Sequence, residues 1–268
     1  MSVKLLVVGG GRMGGALVSG LLASSWATPG ELAVVEPVAE ARDALSAAHP
    51  GLAVWERPEP DSVDSHGGAV LAVKPDIAEV VLRSVSEVGI TRVLSIVAGV
   101  STARLEAAMA QGAVVIRSMP NSPALIGAGV AAMSGGDMAT AADLDWAEGI
   151  LGAVGTVVRL PERHLDAVTA VSGSGPAYLF LVAEALVEGA VSAGLSREVS
   201  LQLVVGTLLG SARMMAESGD DPAKLREAVT SPGGTTAAAL RTLEFKAVRS
   251  AFIEAVAAAT ERSKQLGR

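Results

Sequence analysis

The chain reads as an α/β protein. A doubly wound Rossmann-type sheet is predicted over residues 1–160, followed by an all-helical domain over residues 161–268. Three observations predict this. Residues 3–22, VKLLVVGGGRMGGALVSGLL, run from an apolar strand through a glycine-rich turn into an apolar helix. Short apolar runs then alternate with helical periodicity as far as Leu160, the order expected of a parallel twisted sheet. Beyond Pro161 no stretch reads as a strand.

The opening stretch carries G-x-G-x-x-G at Gly9, Gly11 and Gly14, after a strand and before a helix. Gly9 permits the tight turn, Gly11 leaves room for a diphosphate against the backbone, and Gly14 brings helix and strand together. The free N–H groups and positive end of the new helix favour an anion. The next strand, ELAVVE, ends in Glu36. An acidic residue there accepts hydrogen bonds from the ribose hydroxyls and disfavours a 2′-phosphate, which points to NADH. Arg42 would soften that preference, and a strand-end carboxylate facing water is the alternative.

A helix over 37–49, a short strand over 52–55 and a polar loop over 56–68 follow. A doubly buried strand, Ala69 to Val73, then ends in Lys74-Pro75. Lys74 falls at a strand's carboxyl end, where ligands of doubly wound sheets sit. A helix over 76–88, a strand over 92–97 and a helix capped by Ser101 or Thr102 come next. Another strand, over 113–117, leads to SMPNSP at 118–123, whose two prolines forbid a regular helix and place it at the same crevice. A strand over 127–133, a helix over 141–152 and a strand over 155–160 complete the sheet.

Helices are then expected at about 162–171, 176–193, 196–217, 222–229, 235–243 and 247–265. Asp221-Pro222 is a helix start, with Asp as N-cap and Pro at the first helical position. Two turns interrupt this region: Ser172-Gly173-Ser174-Gly175-Pro176, and Thr230 to Thr236. Small residues and hydroxyls before a helix suit a carboxylate as well as a phosphate. The helices over 176–193 and 201–215 are apolar around much of their circumference and are expected to bury that surface against a second subunit.

Composition narrows the function. Net charge is −7 and no basic stripe occurs, so nucleic acid is not expected as a partner. There is no cysteine and only three histidines, scattered at 49, 66 and 164, so no metal site or thiol nucleophile is expected. The apolar run around Leu179 is broken by Glu184 and Glu188, and no secretory leader is read, so a cytoplasmic protein without a membrane span is expected. The helical domain has no placed lysine, histidine or clustered acids for acid–base work. That suits a reaction whose chemistry the cofactor carries.

Four segments, in order and spacing, resemble pyrroline-5-carboxylate reductases. They are AVKP at 72–75, RSMPNSP at 117–123, DAVTAVSGSGPAY at 166–178 and, most specifically, LREAVTSPGGTTAAALRTLE at 225–244. The resemblance covers essentially the whole chain. It implies reduction of the cyclic imine 1-pyrroline-5-carboxylate to L-proline with NADPH or NADH, the final step of proline biosynthesis. It further implies dinucleotide contacts from Val8, Gly9, Gly10, Gly11, Arg12, Met13 and Gly14, from Ala72, Val73, Lys74 and Pro75, and from Val97 and Ala98. Pro176 would lie by the nicotinamide. Gly234, Thr235 and Thr236 match the substrate loop, and Glu162 a position near the bound amino acid; on physical grounds the helix start at Gly233 to Thr236 would bind the carboxylate and the Thr236 hydroxyl the ring nitrogen. Dimers through the helical domain, assembled into larger rings, are implied too. Where some relatives carry a cofactor-binding Asn, this chain has Ala228. A β-hydroxyacid dehydrogenase or imine reductase is the enzymatic alternative and would need an acid/base residue in the helical domain. A non-catalytic nucleotide-binding protein is the other alternative.

Overall fold

The computed structural model describes residues 3–60 and 63–267. Two compact units are resolved: Met1–Ser174 together with Ala259–Arg268, and Gly175–Ala258.

The first unit is built on an eight-stranded sheet. Its strands in chain order are β1 (Val3–Val8), β2 (Leu32–Val35), β3 (Ala53–Trp55), β4 (Val63–Leu71), β5 (Arg92–Ser95), β6 (Val114–Met119), β7 (Gly129–Gly135) and β8 (Gly155–Arg159), and the spatial order is β3-β2-β1-β4-β5-β6-β7-β8. Helices α1 (Arg12–Ala23), α2 (Ala39–Ala48), α3 (Ala78–Glu87), α4 (Thr102–Ala107) and α5 (Ala141–Gly152) connect them. The β1 residues alternate between two apolar layers. Leu5 and Val7 join Leu17, Leu21, Ile116, Met133 and Ile150 on one face. Leu6 and Val8 join Leu71, Leu82, Val93 and Leu105 on the other. A sheet covered on both faces explains why its strands are near-continuous apolar runs rather than alternating ones.

The structure departs from the sequence expectations at three places. The sheet is mixed, because β6 and β7 pair antiparallel: Ile116 lies opposite Gly135, and Met119 opposite Ala132. Their connection holds only a 3-10 turn, Ser122–Ile126. That is too short for the dozen or more residues of a parallel crossover. Strand β4 begins at Val63, inside the polar stretch expected as a loop, of which 61 and 62 lie outside the described residues. Its polar start is pinned by Arg92, whose guanidinium donates to the carbonyls of His66 and Gly67. Third, Ser172 to Pro176 does not break the helical path. After α6 (Leu165–Val168) comes a π-helical turn, Thr169–Gly173, with Ser174 N–H donating to Thr169 O at 2.8 Å. Helix α7 (Gly175–Ser192) follows at once. Pro176 has no N–H to donate to the Ser172 carbonyl four residues back, and that carbonyl accepts Asn121 Nδ2 instead.

The second unit is helical. It holds α7, α8 (Arg197–Ser218), α9 (Pro222–Ala228), α10 (Thr235–Phe245) and most of α11 (Val248–Leu266), whose last residues belong to the first unit. The Asp221 side chain caps α9 through the Ala223 N–H at 2.7 Å, as its sequence implied. Along α7 and α8, Val187, Ser200 and Val204 are buried, whereas Leu179, Phe180, Leu181, Leu203, Leu209 and Met214 are each more than half exposed.

Candidate active site

The glycine-rich turn joins β1 to α1 at the carboxyl end of the sheet. Its glycines divide by cause. Gly9 has φ +106°, and a Cβ there would lie 2.5 Å from the Ala72 carbonyl oxygen. A Cβ on Gly14 would overlap the Gly9 carbonyl oxygen. Both are glycine because the fold needs them. Gly11 is different: it has φ −65° and nothing within 4 Å of a Cβ position. The fold does not ask for glycine at that position; a group approaching the backbone would. Gly11 is the N-cap of α1 and offers no side-chain cap, and the first helical bond runs from Gly15 N–H to Gly11 O. The N–H groups just inside α1 therefore face outward at the positive end of the helix, where a diphosphate is stabilised. The residues present thus fit a dinucleotide.

Glu36 closes the neighbouring edge. It is buried, and its carboxylate accepts the Gly10 N–H at 3.0 Å and the Val38 N–H at 3.0 Å. It ties the glycine-rich turn to the end of β2 and keeps further lone pairs for other donors. Arg42 donates Nη1 to the carbonyls of Glu36 and Pro37. Ala72 is held by its N–H to Val8 O at 2.8 Å, with Lys74 exposed after it. Val97 is buried and Ala98 exposed in the turn that follows β5. Val8, Gly9 to Gly14, Ala72 to Pro75, Val97 and Ala98 thus all stand at the carboxyl ends of β1, β4 and β5, which are adjacent in the sheet.

Glu162 lies at the same edge. Its Oε1 accepts the Thr102 N–H at 2.8 Å and Arg117 Nη1 at 3.0 Å, and its Oε2 accepts the Thr102 hydroxyl at 2.6 Å. Burial pushes the Glu162 pKa up, but the hydrogen bonds from Thr102 and the Arg117 charge outweigh it and leave it below the usual glutamate range. Arg117 and Thr102 are themselves buried. Sequence reading had Thr102 only as a possible helix cap and Arg117 only in a strand and the RSMPNSP segment, and gave neither a partner at the site. The signal was an arginine ending the apolar run AVVI inside a glycine- and proline-poor strand. Asn121, inside the SMPNSP segment expected at the crevice, donates to Ser172 O at 3.1 Å and accepts the Val130 N–H at 2.9 Å, contacts the sequence did not announce. It joins the SMPNSP segment to the π turn, where a Cβ on Gly173 would lie 2.9 Å from Met119 Cε.

Within the second unit, Pro176 lies in the first turn of α7. The loop before α10 turns through Gly233 at φ +70°, and Gly234 N–H donates to Ser231 O at 3.1 Å. A Cβ on Gly234 would overlap the Ser231 hydroxyl. Gly234 is the N-cap of α10, again without a side-chain cap, and the first helical bond runs from Ala238 N–H to Gly234 O. The N–H groups of Thr235, Thr236 and Ala237 are left at the helix start, beside two threonine hydroxyls. That arrangement suits a carboxylate.

Comparison with known proteins assigns the lineage. Residues 162–266 match the family model for pyrroline-5-carboxylate reductase dimerisation, and residues 4–99 that of coenzyme F420-dependent NADP oxidoreductases. A pyrroline-5-carboxylate reductase from Synechocystis is 42% identical over all of both chains. The chain belongs to the pyrroline-5-carboxylate reductase family. A solved member from Coxiella burnetii, 32% identical, superposes with a TM-score of 0.92 over the full length of both chains. One from Plasmodium falciparum, solved with NADP bound, is 31% identical with a TM-score of 0.85, covering 99% of this chain and 98% of that one. The family is one of nicotinamide-dependent oxidoreductases, and this chain carries its dimerisation domain.

The helix spanning Glu162–Ser192 and the helix Arg197–Ser218 are each long and apolar enough to cross a membrane by length and composition alone, Glu184 and Glu188 notwithstanding. Both fall inside the dimerisation region. Among the described residues no cluster of three or more His, Asp or Glu is placed to hold a metal ion.

Proposed function

We propose that this chain reduces the C=N bond of 1-pyrroline-5-carboxylate to L-proline with NADH or NADPH, in the cytoplasm, as a dimer that builds larger rings. The observation that carries the reading is the uncapped start of α10. The family's most specific motif there leaves three N–H groups and two hydroxyls for a small carboxylate. A bound reduced nicotinamide supplies a hydride to the imine carbon, and one proton at nitrogen completes the amine. Gly233 and Gly234 shape the loop, and the Thr235 and Thr236 N–H groups hold the carboxylate. The Thr236 hydroxyl hydrogen-bonds the ring nitrogen, which enters as the iminium or takes its proton through a water held by Thr236. By the family resemblance, Glu162 is assigned to the bound amino acid and Pro176 to the nicotinamide.

The dinucleotide is assigned to Val8 through Gly14, Ala72 to Pro75, Val97 and Ala98, with Glu36 accepting the ribose hydroxyls. The Glu36 charge repels a 2′-phosphate and favours NADH; Arg42, its Nη1 held by two carbonyls, moderates that preference. The division of labour is cofactor binding in residues 1–160, and substrate binding and dimerisation in 161–268. The apolar faces of α7 and α8 then meet a second copy rather than lipid.

The test is loss of nicotinamide absorbance with 1-pyrroline-5-carboxylate, NADH and NADPH in parallel. Faster turnover with NADH supports the role of Glu36. Faster turnover with NADPH keeps the reaction and removes that role, and no turnover with either removes the reaction. Thr236→Ala is expected to lower kcat by about 10²-fold, as for loss of a positioned proton-transfer group. Unchanged kcat would remove Thr236 from the chemistry.

A further inference from the structure

The turn that carries Val97 and Ala98 is held from a remote part of the chain. Between β5 and α4 it bends through Gly99, whose φ is +77°. A Cβ there would lie 3.4 Å from the backbone of Leu266 and Gly267. A Cβ on Gly267 would lie 2.6 Å from the Gly99 carbonyl oxygen, so here glycine faces glycine, backbone to backbone. Two side chains lock this contact. Arg104, on α4, donates Nη1 to Gly267 O at 3.3 Å while its Nε and Nη2 hold Glu79 at 2.9 and 2.7 Å. Ser263, itself buried, donates its hydroxyl to Asp166 Oδ1 at 2.7 Å. From the other side, Glu162 grips Thr102 at the start of α4.

We propose that residues 263–267 are a positioning clamp for the nicotinamide cofactor: by closing on Gly99 they hold Val97 and Ala98 in the conformation that receives it. The inference rests on the assignment of Val97 and Ala98 as cofactor contacts. A turn built around a left-handed glycine has several backbone conformations open to it. Held beforehand in one of them, it gives up no further freedom when the cofactor binds, and affinity rises accordingly. The clamp touches neither cofactor nor substrate, so its effect falls on cofactor affinity and not on the hydride step.

The experiment compares the full-length protein with its Gly267→Val, Gly267→Ala and Ser263→Ala variants. NADH and NADPH are titrated by nicotinamide fluorescence without substrate, and amide hydrogen exchange is followed over residues 97–104. Gly267→Val is expected to raise the cofactor Kd about three- to tenfold, the range of remote positioning contacts, with Gly267→Ala between it and the parent. Exchange over 97–104 should quicken, while kcat and the KM for the imine stay within about twofold. An unchanged Kd in Gly267→Val and Ser263→Ala overturns the clamp, whatever exchange does. So does a raised Kd that comes with dimer dissociation or an equal rise in the imine KM, which marks general loosening. The cofactor titration needs no turnover. A parent protein that binds cofactor but does not reduce pyrroline-5-carboxylate would fail the proposed reaction and leave the clamp to be judged on Kd.

Discussion

Arg117 is a buried cation paired with the Glu162 carboxylate, and that pairing decides what each residue is worth. Removing one partner of a buried pair strands the other charge in a medium that cannot solvate it. Because Glu162 is only half-buried, Glu162→Ala is expected to cost about 1–3 kcal/mol in urea unfolding. Glu162→Gln, which keeps an acceptor for Thr102 but loses the charge, should cost less. The same pair sets a pH dependence. The native pKa of Glu162 lies below its unfolded value. Its stabilisation is therefore complete above the ordinary glutamate pKa of about 4.3 and is lost as pH falls below it towards the native value. Glu162→Gln should flatten the acid limb of the stability profile; an unchanged limb would mean that the carboxylate contributes nothing there.

At the scale of elements, the glycine-rich turn separates what the fold requires from what a ligand requires. Gly14→Ala places a Cβ on the Gly9 carbonyl and is expected to lower stability by about 1–3 kcal/mol, as overpacking does. Gly11→Ala meets open space, so it should cost at most about 1 kcal/mol through its N-cap position. It should nevertheless raise the cofactor Kd at least tenfold, since the methyl takes the place of the diphosphate. Thermal melts beside cofactor titrations distinguish the two. This turn was legible in the sequence because glycine spacing and apolar runs are local signals. The Asp221 cap and the helix over 141–152 were legible for the same reason. The antiparallel β7 was not, since strand direction is set by the length of a connection and by partners far away in sequence. The π turn at Thr169–Gly173 was hidden because two glycines and a proline normally announce a break. Of the candidate site, the residues proposed to meet a ligand were named from motifs. The contacts made by Thr102, Arg117 and Asn121 could not be, because their partners lie between 9 and 60 residues away in the chain.

At the scale of the whole molecule, the exposed apolar faces of α7 and α8 call for a partner. Phe180 and Leu209, 66% and 62% exposed, sit on faces too apolar to be left to water in a stable monomer. The double variant Phe180→Glu, Leu209→Glu is expected to run as a monomer in light scattering at micromolar concentration. Its melting point should fall, because dimers that bury such faces are stabilised by association. A variant that remains dimeric would move the interface elsewhere. The two-unit layout also bears on how the protein is made. The sheet-bearing unit is completed by residues that follow the entire helical unit in the chain. On the ribosome, residues up to 174 therefore wait for Gly175–Ala258 to be synthesised before Gly267 can reach Gly99. At roughly 5–20 residues per second this delay is on the order of ten seconds. A nascent chain stalled in that interval would hold a nearly finished sheet with a loosely fastened turn after β5.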